Sequence, residues 1–402
     1  MKLKSVAVVG ASLAGLRAVE ALRKCDYDGR LTLFGAEAEL PYDRPPLSKE
    51  VMTGERAPED VTFRDLAHFE NLGVDLHLGC AVAGLDVADQ TILVDEDRFH
   101  FDGLIIATGT TPRALKGADG LGGIFTLRTM RDAVAIRKAM RPGSKVVVVG
   151  AGFIGSEVAS SARAAGLDVV IVEALKVPLA GAVGEEMGQA CSLLHGDNGT
   201  QLRCGVGVEG FEGTKDVEAV RLTDGSIIET DVVVVGIGVK PATGWLEGSG
   251  LEIRDGVVCD QFLAAGPGIY AAGDVARWWN PLFEEEMRVE HWTNAAEQGG
   301  LAARNLVAGS KGNPSQSVPY FWSDQYGSRI QFAGRATADE VQVVSGSIDQ
   351  RRFVALYRRG DRLVGALGLN RSKVLMQYLV QIGQSASWDE AVGFAQGLEI
   401  VD

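Results

Sequence analysis

The chain has 402 residues, 46% of them hydrophobic and 23% charged, which exceeds one ordinary core and suits two or three globular domains. A net charge of −14 argues against a nucleic-acid partner, which would need a basic surface, and no apolar run approaches membrane-spanning length. With no signal-peptide pattern ahead of the strand that begins by Ser5, a cytoplasmic protein with no membrane contact is expected.

Five cysteines (Cys25, Cys80, Cys191, Cys204 and Cys259) are odd in number and never form a C-x-x-C pair. No disulfide framework, metal site or dithiol redox centre is expected, and most of the thiols are read as small buried hydrophobes.

In chain order, residues 5 to 37 come first. The strand SVAVV leads into Gly10-Ala11-Ser12-Leu13-Ala14-Gly15, a helix to about Lys24, the strand LTLF, and Glu37. This is the order of a dinucleotide unit, with Ser12 in place of the middle glycine. Serine crowds the approach slightly but is small and can donate to phosphate. Next, Leu40 to Lys49 (LPYDRPPLSK) carries three prolines and is expected to be extended and stiff, neither helix nor strand. Its cations Arg44 and Lys49 can be aimed at a ligand, or the loop can be a solvated basic turn. A helix and a strand are expected over 61–79 and a small hairpin region over 84–101. FDGLIIATGTT (101–111) is a buried strand whose end, Ala107-Thr108-Gly109, can bring backbone close to a ligand; a plain strand end would look the same.

After a helix beyond Arg128, Lys145 to Glu173 reads KVVVVGAGFIGSEVASSARAAGLDVVIVE. Strand, G-x-G-x-x-G, helix, strand and terminal acid follow in the order a dinucleotide site requires. Gly150 makes the tight turn, Gly152 admits the pyrophosphate, and Gly155 lets the helix pack on the strand. Phe153 and Ile154 open the helix, whose N-terminus favours an anion. Glu173 can accept hydrogen bonds from both ribose hydroxyls and would repel a 2′-phosphate, so NAD is expected rather than NADP; Lys176 nearby keeps that preference open.

A helix near 184–198 follows, then short strands around Asp224-Gly225, and the buried strand DVVVVGIGV ending at Gly236 and Gly238. YAAGDV (270–275) repeats the strand and small-residue design and places Asp274 after Gly273. A carboxylate there suits a polyol chain; a helix N-cap is the alternative, and both can hold. RVEHWTNAAEQ (288–298) is a loop entering a helix, and PYFWSDQYG (319–327) packs a cluster of aromatics that alone indicates only core. Short strands are expected at 341–345, 352–358 and 362–368, with a helix from about Arg371. Over 351–373, Arg351, Arg352, Arg358, Arg359, Arg362, Arg371 and Lys373 face one acid, Asp361. Such a run is a solvated face or a docking patch for an acidic partner.

Two dinucleotide units suggest two dinucleotides. A polyol-binding acid has no use in NAD but suits FAD, so an FAD domain split by an inserted NAD domain is expected. GASLAG, PYDRPPLSK, ATGTTPR, GAGFIGSEVA, GIGVKP, AAGDV, EHWTNAAEQ and FWSDQYG, in this order, resemble the ferredoxin reductases of oxygenase systems, putidaredoxin reductase-like flavoproteins of the glutathione-reductase superfamily. The resemblance implies an α/β fold with two Rossmann-like dinucleotide-binding domains and a C-terminal α+β interface domain. The boundaries are 1–109 with 243–318 for FAD, 110–242 for NAD, and 319–402 for the interface domain. It puts Ala14, Glu37, Arg44, Lys49, Val82, Arg128, Asp274 and Trp292 at FAD, alongside Gly10, Ser12, Gly15, Ala107, Gly109 and Gly273 from the motifs. It makes Lys49, near the flavin ring, Glu157, beside the nicotinamide, and Trp322, stacked near either ring, the catalytic candidates. His291-Trp292 falls in a segment that varies within the family.

The implied reaction is hydride transfer from NADH to FAD and single-electron delivery to an acidic iron–sulfur ferredoxin feeding a monooxygenase or ring-hydroxylating dioxygenase. Docking is expected near Arg351, Arg352, Arg358 and Arg359, with Arg304 and Arg335. The alternatives are an NADH oxidase or small-acceptor reductase, and a flavin-bearing interaction protein resembling apoptosis-inducing factor.

Overall fold

The computed structural model describes residues 3–118 and 120–398, and the chain divides into two compact units. The first comprises Met1–Asp43, Thr62–Thr111 and Lys240–Pro319; the second comprises Arg44–Val61, Pro112–Val239 and Tyr320–Asp402.

The first unit is built on a six-stranded sheet. Ser5–Val9 lies at its middle, paired in parallel with Arg30–Gly35 on one side and Gly103–Ile106 on the other. Val74–Leu78 extends one edge, and Ile269–Ala271 with Ala264–Gly266 the other. Ser5–Val9, Arg30–Gly35 and Gly103–Ile106 are buried along nearly their whole length, which is why they read as apolar runs. The helices Leu13–Lys24 and Trp292–Ala308 pack against each other in this unit. Where a small hairpin region is expected over 84–101, residues 82–100 form three short antiparallel strands.

The second unit contains a five-stranded parallel sheet in the order Gln201–Cys204, Asp168–Glu173, Lys145–Val149, Val232–Val235 and Ile124–Thr126. Val146 to Val149 are all buried at its centre, each contributing about 1.5 kcal/mol by leaving water. The helix Met130–Ala139 starts on a capping box in which Thr129 and Asp132 satisfy each other's backbone N–H groups. A second sheet, five-stranded and antiparallel, runs in the order Tyr320–Gln325, Ser328–Gly334, Arg362–Leu369, Arg352–Arg359 and Glu340–Ser347. Its apolar face and the helix Glu185–Asp197 share one core, in which Met187, Cys191 and Leu194 meet Ile330, Phe332, Phe353 and Leu367. The Tyr357 hydroxyl donates to the Val183 carbonyl at 2.6 Å within it.

Three expectations change. The proline segment is not extended throughout: Pro45–Ser48 is a 3₁₀ turn followed by the helix Glu50–Thr53. Proline's fixed φ and missing N–H suit the first turn of a helix as well as an extended chain, and here Pro45 and Pro46 open the turn. The C-terminal sheet starts earlier than its pattern indicates, because the aromatic stretch is itself a strand, Tyr320–Gln325. Of the cysteines, all free thiols, only Cys191 and Cys259 are buried; Cys25, Cys80 and Cys204 are half-buried. Burial pushes the Cys191 and Cys259 thiols up to about 12, so they are inert packing groups.

Candidate functional site

Both glycine turns use one device. Gly10 has φ +117 and Gly150 φ +100, and a Cβ would lie 2.1 Å from the Ala107 carbonyl oxygen or 2.4 Å from that of Gly236. No other residue fits either position. At Gly15 and Gly155 a Cβ would stand 1.9 and 2.1 Å from the carbonyl oxygens of Gly10 and Gly150, so each helix can start only against a bare backbone. Gly152 is different. Its φ is −74, and the nearest protein atom to an added Cβ is 4.0 Å away. Nothing in the protein requires glycine there, so the open space suits a ligand.

In the first unit, Ser12 is the N-cap of Leu13–Lys24, yet its side chain makes no capping bond and the first turn holds no acid. The N–H groups and the positive end of the dipole are thus not spent on the chain's own carboxylates. Ala14 lies against this turn, and a Cβ on Gly273 would come within 3.2 Å of its methyl group. Gly109 turns at φ +67 beside Thr108, whose hydroxyl donates to the Ala242 carbonyl at 2.9 Å. Glu37, past the second strand, accepts from the Tyr42 hydroxyl. Val82 is half-buried at the start of Val82–Asp86. Asp274 does not cap a helix: it lies inside the short 3₁₀ turn Gly273–Val275. Its carboxylate accepts from the Thr110 hydroxyl at 3.3 Å, and its carbonyl from Arg288 at 3.1 Å. The Trp292 indole donates to Asp43 at 2.8 Å. Asn294, two residues on, is buried with neither amide atom partnered among the described residues, and Gln298 Nε2 is in the same condition. Buried amides in that state fit polar edges supplied by a bound ligand. An acid after the second strand, an uncapped helix start and orphaned amides together fit a dinucleotide.

In the second unit, Glu173 is tied to its own glycine turn. One carboxylate oxygen accepts from Ala151 N–H at 2.7 Å and the other from Leu175 N–H at 2.8 Å. A carboxylate has about four acceptor positions, so about two remain for ribose hydroxyls. Ile154, Leu175 and Ile237 are exposed at the same strand ends, and Gly238 turns at φ +91. Phe153 packs on Phe321 with ring centroids 4.4 Å apart. Lys176 is exposed. Arg44 donates to the Arg128 carbonyl at 2.5 Å, which brings those two predicted residues together.

A buried cluster of this unit surrounds Glu157, 3% exposed on the helix Phe153–Ala164. Lys49 Nζ lies 2.8 Å from Glu157 Oε2, and the Ser48 hydroxyl donates to the same oxygen at 2.5 Å. The Ser323 hydroxyl donates to Oε1 at 2.7 Å. The 3₁₀ turn carries Ser48 and Lys49 to the helix, and Ser161 donates to the Ser48 carbonyl at 2.7 Å. Trp322 is not in this cluster. Alternation along its strand puts it on the opposite side from Ser323, stacked on Tyr320 at 6.2 Å. Sequence reasoning found Lys49 and Glu157 but missed Ser48 and Ser323. The available signal was adjacency, since each serine flanks a predicted residue in PPLSK or FWSDQ.

The arginines of the C-terminal sheet do not form one patch. Arg352–Arg359 spans about 23 Å at 3.3 Å per residue, so its two ends are well separated. Arg351 forms two bonds to Asp197 at 2.7 and 3.1 Å, and Arg358 approaches Glu340 at 3.4 Å and lies over the Trp388 ring. Arg359 donates to the Thr337 carbonyl, while Arg352 is exposed. Arg304 is exposed in the first unit. Among the described residues no His, Cys, Asp and Glu group could hold a metal, and no helix is long and apolar enough to cross a membrane.

A sequence profile described as pyridine nucleotide-disulphide oxidoreductase matches residues 4–299, and one described as reductase C-terminal matches 320–396. The chain is 36% identical over 374 residues to rhodocoxin reductase of Rhodococcus erythropolis, covering 92% of this chain and 87% of that one. It is 36% identical over 367 residues to the biphenyl dioxygenase system ferredoxin–NAD(+) reductase component of Paraburkholderia xenovorans, covering 90% and 88%. Among solved structures, that of the covalent putidaredoxin reductase–putidaredoxin complex superposes with a TM-score of 0.91 at 30% identity, over 95% of this chain and 93% of that one.

Proposed function

The chain belongs to the pyridine nucleotide-disulphide oxidoreductase family, and on that premise we propose that it is a ferredoxin reductase of an oxygenase system. It is an NADH-dependent flavoprotein oxidoreductase whose onward acceptor is an iron–sulfur ferredoxin serving a monooxygenase or ring-hydroxylating dioxygenase. The observation that carries this reading is the near-full-length likeness to reductases named for rhodocoxin and for a biphenyl dioxygenase system. The cysteine pattern agrees with it, since no C-x-x-C pair is present to pass electrons through a dithiol.

The flavin is FAD in this reading, held by residues 1–109 and 243–318, with NADH on 110–242 and an interface domain over 319–402, of which residues 399–402 lie outside those described. When bound, the flavin supplies the change from hydride to single-electron transfer. The chain's residues bind and orient. The helix starts after Ser12 and Gly152 direct N–H groups at the two diphosphates. Glu37 and Glu173 accept from adenosine ribose hydroxyls, and Asp274 accepts from the ribityl hydroxyls that distinguish FAD from NAD. Arg44 and Arg128 offer cations to the FAD phosphates. Lys49 brings positive charge to the flavin ring, and Glu157 fixes that ammonium while meeting the nicotinamide. Trp322 offers an aromatic face to the rings.

In this reading the acidic ferredoxin docks near Arg351, Arg352, Arg358 and Arg359, with Arg352 the exposed cation among them. Arg351 and Arg358 each have a carboxylate beside them, so they contribute less field to an acidic partner. The test of the cofactor assignment is identification of the flavin released from purified protein and its bleaching by NADH without air. FAD released and bleached supports the assignment; FMN, or no response to NADH, contradicts it.

A further inference from the structure

We infer that Ser323 is a positioning residue that sets the orientation of Glu157 and thereby the rate of hydride transfer. This rests on the reading that Glu157 meets the nicotinamide. Glu157 Oε2 is held from one short turn, by Ser48 and Lys49, whereas Oε1 is held across the unit by Ser323 at 2.7 Å. Two anchored oxygens fix the plane of a carboxylate; one leaves it free to rotate.

Three features make the Ser323 bond more than a chance contact. First, its direction is set. Gln325 Nε2 donates to Ser323 Oγ at 3.0 Å, so the single hydroxyl hydrogen of Ser323 is left for Glu157. Ser323 is 0% and Gln325 1% exposed, so water does not compete. Second, its place is set. The helix positions Phe153, Glu157 and Ser160 share one face and meet the strand and its turn at Phe321, Ser323 and Tyr326. Phe153 packs on Phe321 at 4.4 Å and Ser160 accepts from Tyr326 N–H at 2.7 Å, which clamps Ser323 between two fixed contacts. Third, Ser323 faces away from Trp322, so its effect on the rings runs through Glu157.

The test is a double-mutant cycle on the flavin-loaded protein, followed by anaerobic stopped-flow reduction with NADH. Ser323→Ala lowers the limiting rate about fivefold, with the apparent NADH Kd within about twofold of the parent, because binding is kept and alignment is lost. The long-wavelength absorbance that NADH induces falls with the rate. Ser323→Thr, which keeps the hydroxyl, stays within about twofold of the parent rate. In a Glu157→Ala background, Ser323→Ala has no further effect. Should Ser323→Ala yield no folded holoenzyme, Ser323→Cys, nearly the same size but a weak donor, takes its place with the same expected direction. If Glu157→Ala slows reduction and Ser323→Ala does not, or if the Ser323 effect persists without Glu157, the inference is overturned. A Glu157→Ala protein reduced at the parent rate instead overturns the placement of Glu157 at the nicotinamide, and the inference with it.

Discussion

Lys49 Nζ and Glu157 Oε2 form a 2.8 Å ion pair between the proline turn and the helix of the second glycine motif. Glu157 has 4% and Lys49 16% of its side chain exposed, so the pair is largely out of water. Removing one partner strands a buried charge; removing both does not. Lys49→Met should destabilise the protein by about 3 kcal/mol, and Lys49→Met with Glu157→Leu should recover most of that. Urea denaturation of Lys49→Met, Glu157→Leu and the double variant measures it. A double variant as unstable as the sum of the singles would show that the pair is not what holds the two segments together.

Glu173 accepts from Ala151 and Leu175 N–H groups and so braces its own loop. The role we propose for it, accepting from ribose hydroxyls and favouring NADH, separates from that by measurement. Glu173→Ala should lower kcat/KM for NADH by about tenfold to a hundredfold, the equivalent of one or two charge-assisted hydrogen bonds. The value for NADPH should change far less, so the preference narrows. An unchanged ratio would leave Glu173 with only its bracing role.

Asp274 accepts from Thr110 through its carboxylate and from Arg288 through its backbone carbonyl, so the protein itself positions it. Asp274→Ala should therefore fold and purify with little bound flavin, read from the ratio of visible to ultraviolet absorbance. Full occupancy would refute its role at the ribityl chain.

His195 gives a pH prediction. Burial lowers its pKa from 6.5 to about 4, while Nδ1 stays bonded to the Tyr326 hydroxyl at 3.0 Å. Folded, it stays neutral down to about pH 4; unfolded, it takes a proton below about 6.5. Stability is therefore full above pH 6.5 and falls as pH drops toward 4, by up to about 3 kcal/mol from this group. His195→Gln should flatten the stability curve over that window, measured by urea denaturation. An equally steep curve would assign the acid sensitivity to other groups.

Much of the architecture was legible because parallel strands and glycine turns leave strong local marks. Val146 to Val149 with Gly150, and Val6 to Val9 with Gly10, mark both βαβ turns through apolar runs and steric necessity. What stayed hidden depends on contacts between distant segments. Pro45 and Pro46 are compatible with an extended chain or with a helix start, and only packing against the helix Phe153–Ala164 decides. Ser323 looks like any strand serine until Glu157 is placed opposite it. The arginine run reads in sequence as a solvated face or a docking patch, because sequence proximity conceals the length of a strand and the acids, Asp197 and Glu340, that face two of its members.

The most direct test of the account is NADH-driven reduction of an acidic iron–sulfur ferredoxin by the purified flavoprotein, followed through the ferredoxin's own absorbance without air. The account predicts rapid catalytic reduction. It also predicts that Arg352→Glu with Arg359→Glu raises the ferredoxin KM about tenfold at low salt, less as salt rises, with ferricyanide reduction unchanged. An enzyme that consumes NADH with oxygen or small acceptors while leaving every ferredoxin offered oxidised would contradict it.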